Sequence, residues 1–154
     1  YKALEIKPDS YITLLHLINI AQFESDDQAS LKYLNLANKI LPSNFIVRAR
    51  YLISVSPRWG GSHQQMEEFI NSSKSSGVSQ DLINRFLAIL SEDKGDMARE
   101  RGNSRLALKE YTKSLIYSQS SGDRFRRKYL KDALKLCLNS EFSKKTYCRS
   151  ERDG

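Results

Sequence analysis

The sequence predicts an all-α chain, and three observations carry that expectation. Apolar residues recur three and four apart over several stretches of ten or more residues, the spacing of a helix with one buried face. No stretch shows the period-two alternation bounded by turns that marks a strand. A short motif also repeats. Ala3-Leu4-Glu5-Ile6-Lys7-Pro8 returns as Ala37-Asn38-Lys39-Ile40-Leu41-Pro42, with Ala to Ala and Pro to Pro both 34 residues apart. A unit of that length cannot bury its apolar face alone and needs neighbours stacked on it. Seven Gly and three Pro in 154 residues are too few for a turn-dense sandwich or barrel. With 40% apolar and 28% charged residues, the chain is a folding sequence rather than a disordered one.

Taken in order, the first helical pattern is already under way at Tyr1, without an initiator Met. Upstream sequence is therefore expected, targeting information included, and the compartment stays open. Pro8 stops this helix because it lacks an N–H and its ring clashes with the preceding turn. Ser10 then caps a helix over Tyr11 to about Phe23, which carries Leu14, Leu15, Leu17, Ile18 and Ala21. Glu24 to Asp27 forms a turn, and Gln28 to Leu41 a second helix with Leu31, Leu34, Ala37 and Leu41 on one face. Pro42 and Asn44 repeat the stop and the capped restart. A helix follows over about Phe45 to Val55, then a loop, a helix over about Ser62 to Lys74, and a long helix from about Ser79. Gly102-Asn103 pairs a left-handed helix end with the next N-cap. Gly122 ends the helix after that, Asp123 to about Asn139 closes the array, and residues 142–154 form a tail.

Two antiparallel helices in 34 residues resemble the tetratricopeptide repeat. Ser30, Leu34, Ala37 and Pro42 fall at that family's small, bulky, small and Pro positions. Leu14, Leu17 and Ala21 match in the first helix, where Ile18 replaces the usual Gly. Downstream, Gly95, Ala98, Gly102, Ala107, Tyr111 and Ser114 match again. The resemblance implies a right-handed superhelical stack of antiparallel helix pairs, about seven helices in one domain over residues 1–141. Its repeats would be 11–44, an irregular 45–87, 88–121 and the closing helix 123–139. It also implies a concave groove lined by the first helix of each pair: Ile12, Leu15, Asn19, Gln22 and Phe23, then Ile89, Glu92, Asp96 and Arg99. Some repeats of the family hold a peptide's terminal carboxylate with Lys and Asn there. Asn19 fits, but Leu15 stands where Lys would be wanted, so an extended peptide or an amphipathic helix is the expected ligand.

The irregular middle unit carries the most distinctive segment, Pro57-Arg58-Trp59-Gly60-Gly61-Ser62. Gly60-Gly61 permits positive φ angles, and Ser62 with Gln65 fits a capping box. Together with Met66 and Phe69 the segment resembles a bacterial family of uncharacterised helical proteins, over about residues 45–75. Trp59 has two readings. It is an exposed anchor flanked by Arg58 and His63, or it folds beneath the loop and fills the gap between helix pairs. The usual burial of large aromatics favours the second.

The inventory for catalysis is thin. His16 and His63 have no local partner at metal-ligand spacing, and no phosphate loop, dinucleotide fingerprint or nucleophile elbow is present. Neither a cofactor, a metal site nor an enzyme is expected. No apolar run approaches the roughly 20 residues that span a bilayer. Cys137 and Cys148 either bridge or remain thiols, and thiols are the preferred reading.

The net charge of +7 is uneven. Residues 1–95 are neutral, so the whole surplus lies in 96–154. Arg124, Arg127, Lys128, Lys131 and Lys135 gather on one side of the closing helix, opposite Phe125, Tyr129, Ala133, Leu136 and Cys137. Such a stripe suits nucleic acid, an acidic protein or anionic lipid. It also suits the polar outer face that ends a stacked array, which is the preferred reading. The expected function is a non-catalytic scaffold for another protein or peptide, with candidate binding residues Leu15, Asn19, Gln22, Phe23, Arg58, Trp59 and His63. An anion or nucleic-acid adaptor is the alternative.

Overall fold

Short polar side chains and left-handed residues punctuate this chain. Its computed structural model describes residues 7, 10–119, 130–135 and 137–139. The helices are α1 (Tyr11–Phe23), α2 (Asp27–Ile40), α3 (Ile46–Ser54), α4 (His63–Ser75), α5 (Gln80–Glu100) and α6 (Ser104–Ser118), with a 3-10 turn over Pro57–Trp59. Residues 130–135 and 137–139 are helical too, and the described residues hold no strand. The chain is all-α. The first copy of the repeated motif, apart from Lys7, lies outside the described residues. So do Gly122, residues 123–129 of the closing helix and the tail.

Short polar side chains take up N–H groups at the start of most helices; at α3 the N-cap, Phe45, makes no such bond and Asn44 before it does. Ser10 Oγ accepts from the Thr13 N–H at 3.3 Å, and Ser62 Oγ from that of Gln65 at 3.1 Å. Asn103 Oδ1 accepts from Leu106 at 3.0 Å, and Asn44 Oδ1 from Arg48 at 3.2 Å. Asp26 Oδ1 accepts from Ala29 at 2.9 Å, so α2 starts one residue before Gln28. Each such cap is worth about 1 kcal/mol. Three helix ends share one device, a left-handed residue whose neighbour's N–H reaches back five residues. Gly77 and Gly102 (φ +77° and +72°) serve at two of them. Ser25, at φ +56°, serves at the third, with Asp26 N–H on the Ala21 carbonyl at 2.8 Å.

Contacts divide the chain into two units, Tyr1–Phe86 and Leu87–Gly154, with the boundary inside α5. In the first, α1 packs on α2 and α3 around Leu14, Leu17, Ile18, Ala21, Tyr33, Leu34, Ala37 and Val47. The repeat positions Ser30, Leu34 and Ala37 are all buried, and Ile18 is fully enclosed where the repeat pattern has Gly. Tyr11 OH accepts from the Val47 N–H at 3.2 Å and ties α3 to α1. Beyond this core the aromatics meet in sequence: Tyr51 with Phe69, Phe69 with Phe86, and Phe86 stacked on Phe45 at 5.9 Å.

In the second unit, Ala98, Ala107 and Tyr111 pack with Leu130, Ala133 and Cys137. Gly95 and Ser114 are buried beside them, so the small residues at the repeat positions face inward. Ser114 Oγ donates to the Ala88 carbonyl at 2.8 Å, a bond between α6 and α5 that only a small hydroxyl side chain at this place can make. Ile89, expected in the groove, is instead buried: it falls on the apolar side of α5 with Phe86 and Leu90.

Candidate functional site

At one end of the first unit, the turn between α1 and α2 meets the loop after α3. Ser25 in the left-handed region reverses the chain within three residues, and Asp26 starts α2 at once. This places Asp27 and Ser30, in the first turn of α2, beside Gln22 at the end of α1. Across from them stand Tyr51 and Ser54 of α3 and the Trp59–Gly61 segment. They line a cleft of about 200 Å³.

Backbone bonds build the loop wall. Trp59 N–H and Gly61 N–H both donate to the Ser56 carbonyl, at 3.0 and 3.1 Å, and Ser62 N–H donates to Val55 O at 3.0 Å. That last bond replaces half of the expected capping box. The Ser62 N–H is already engaged, so Gln65 Oε1 takes the Ser62 hydroxyl instead, at 3.2 Å. The two glycines also play different parts. Gly60 is left-handed at φ +88°. Gly61 is not; a Cβ there would collide with the Val55 carbonyl. It is needed for close approach rather than for a positive φ.

The same tightness corrects the reading of Trp59. Gly61 packs directly on the Val55 carbonyl at the end of α3, and the indole is not folded beneath the loop. Trp59 is 46% exposed, and its ring meets that of Phe23, itself 76% exposed, edge to face at 5.5 Å and 87°. Phe23, Gln22 and Trp59 are thus brought together from 36 residues apart. Ile12 and Ile20 continue an exposed apolar stripe along α1 from Phe23. Arg58 is exposed next to Trp59, and His63 is half-buried at the start of α4. Leu15 packs partly against the core of the first unit. Asn19 is half-buried, and its Oδ1 is buried without a hydrogen-bond partner. Leu15 and Asn19 lie on the same side of α1 as Ile12 and Phe23, half-buried where those two are exposed.

Several cleft residues escaped the sequence reading, among them Ser25, Asp27, Ser30, Tyr51 and Ser54. Ser25 and Asp27 look like ordinary turn residues, and Ser30 fits the repeat pattern as a merely small side chain. Tyr51 sits on a helix with no polar periodicity to mark it. Ser30 is 3% exposed, and its hydroxyl has no hydrogen-bond partner. Burial, and next the charge of Asp27, push the Tyr51 phenol above its ordinary range. Asp27 is the one charged side chain among the residues lining the cleft.

On the closing helix, Lys131 and Lys135 are exposed while Leu130, Ala133 and Cys137 are buried. Lys135 Nζ lies 3.8 Å from Asp132 in an exposed pair. Arg124, Phe125, Arg127, Lys128, Tyr129 and Cys148, like the side chain of Leu136, lie outside the described residues. Among those residues no three His, Cys, Asp or Glu side chains gather to hold a metal ion. Nor is any helix among them long and apolar enough to cross a membrane.

Over residues 15–89 the chain is similar to a protein family described as a domain of unknown function (DUF4034). That stretch contains the cleft and the Pro57–Ser62 loop. No curated protein and no solved structure matches the chain.

Proposed function

We propose that this chain is a protein-interaction module that acts by binding rather than by catalysis, and that it holds a peptide or helix of its partner across Phe23 and Trp59. The observation that carries this reading is the Phe23–Trp59 pair, two large aromatics left in solvent at the mouth of a polar cleft. An edge-to-face pair adds about 0.5–1.5 kcal/mol beyond its buried area, which holds both rings in place before any partner arrives. Fixed aromatics cost little entropy on binding and dominate interface energetics, Trp above all. The stripe through Ile12 and Ile20 extends the surface along α1 to the length of a short helix. Stacked helix pairs, as in tetratricopeptide-like repeats, would present such a face on the concave side.

The test is capture of partners on the immobilised chain, followed by cross-linking to map the contact. Phe23→Ala and Trp59→Ala are expected to abolish the capture that the native chain shows, while Lys131→Glu leaves it intact. Capture that survives both aromatic changes would overturn the reading.

A second reading, an anion or nucleic-acid adaptor, is favoured by one observation: Lys131 and Lys135 are exposed on the segment that holds the charge surplus. Filter binding to nucleic acid would then fall steeply with salt and disappear on reversing both charges.

A further inference from the structure

We propose that the cleft beside Trp59 receives a basic side chain, an arginine guanidinium or a lysine ammonium, from the bound polypeptide. This names the partner chemistry of the interaction surface proposed above and rests on that reading.

Size is the first argument. About 200 Å³ is below the roughly 300–1,000 Å³ of pockets that enclose drug-sized ligands, and suits the end of one side chain. Charge is the second. Asp27 is the one charged residue lining the cleft, and no Lys, Arg or His lines it; Arg58 adjoins Trp59 but is not part of the wall. The turn that carries Asp27 also carries Glu24 and Asp26, both exposed. In a chain of net charge +7, this corner has the opposite sign. An anion entering the cleft would meet repulsion and no cationic donor.

The third argument is independent of charge. Ser30 is 3% exposed, lines the cleft, and has a hydroxyl without a partner. Leaving such a group unsatisfied is costly, and a small shift of the wall would let an N–H donor in the cleft reach its oxygen. An apolar occupant would offer Ser30 and Asp27 no hydrogen bond. Finally, Trp59 and Tyr51 both line the cleft, and aromatic side chains attract ammonium and guanidinium groups. An occupant that donates N–H bonds, carries positive charge and lies on aromatic carbon meets all of these conditions.

Trp59 is the sole tryptophan, so emission excited selectively at tryptophan reports on this residue of the cleft wall. Titration with N-acetyl-arginine amide and N-acetyl-lysine amide is expected to give a saturable change that weakens as salt is raised. N-acetyl-norleucine amide, which keeps the stem and lacks the charge, and inorganic phosphate are expected to give none. Asp27→Asn should weaken the response about tenfold, the effect of losing one charge-assisted hydrogen bond, and Ser30→Ala should weaken it less.

A norleucine amide response equal to that of lysine, or a phosphate response, would overturn the proposal, as would unchanged affinity in Asp27→Asn. Putrescine binding more tightly than either amide would remove the polypeptide as the source of the cation. The native-chain titrations decide the matter even if a variant fails to fold. If neither amide gives a saturable change while partner capture still depends on Phe23 and Trp59, the cleft proposal fails and the interaction surface stands. Capture that ignores Phe23 and Trp59 faults the surface itself.

Discussion

Gly95 lies against the ring of Tyr111: a Cβ on residue 95 would stand 2.7 Å from both Cδ1 and Cε1 of that ring. Tyr111 cannot retreat. It is fully buried, and its hydroxyl donates to Asp96 Oδ1 at 2.7 Å, one residue along the same helix as Gly95. Overpacking at such a contact costs about 1–3 kcal/mol, against a gain of about 1 kcal/mol for replacing Gly in a helix interior. Gly95→Ala is therefore expected to destabilise the chain by up to about 2 kcal/mol, read as a lower urea midpoint.

Ser25 is in the left-handed region that Gly77 and Gly102 occupy at the equivalent helix ends. A side chain pays about 1–2 kcal/mol there, and part of any gain from Gly is lost to its freer unfolded chain. Ser25→Gly is expected to raise stability by up to about 1 kcal/mol, and Gly102→Ser to lower it by a similar amount. Thermal melts of the two variants side by side check the symmetry.

Arg48 is a buried cation, 6% exposed, whose guanidinium donates to the Pro42 carbonyl at 3.0 and 3.3 Å and to Ser73 Oγ at 3.4 Å. These partners include no carboxylate, and burial lowers its pKa from the usual arginine value. Its stem fills core space while its charge is poorly compensated. Arg48→Ala removes both and is expected to cost about 2–3 kcal/mol. Arg48→Met keeps the stem volume and should cost less than half of that, as equilibrium unfolding would show.

Tyr51 supplies a pH dependence. Burial, then the Asp27 charge, raise its pKa in the folded state above the ordinary value of 10.0. The folded chain thus holds this proton more tightly than the unfolded chain. The stabilisation is complete below pH 10 and is lost as pH rises through the folded pKa. Of the eight tyrosines, Tyr51 is expected to ionise above the ordinary range in absorbance titrations, and Tyr51→Phe should flatten the fall of stability in that window.

Much of this was legible in the residues. Pro, Gly and the capping side chains act on their own backbone neighbours, so helix ends near Ser10, Ser62 and Asn103 follow from local chemistry. The inward positions Ser30, Ala37, Gly95, Ala98 and Tyr111 follow from spacing, because a helix repeats its faces regardless of what covers them. The site was only half legible. Phe23, Gln22 and Trp59 stand out as side chains, yet nothing in their order shows that residues 36 positions apart touch. Ser30 is predicted as small and buried, whereas its unpaired hydroxyl depends on what stands opposite.

Sequence alone therefore determined that the chain is helical, where its helices break, and which faces turn inward, since each depends on contacts within a few residues. The exposure of Trp59, the separate duties of Gly60 and Gly61, and the joining of Asp27, Ser30 and Tyr51 in one cleft were decided by packing. Each depends on how closely one segment's backbone approaches another. At Gly61 that distance leaves no room for a single carbon against the Val55 carbonyl, and the indole is not folded beneath the loop.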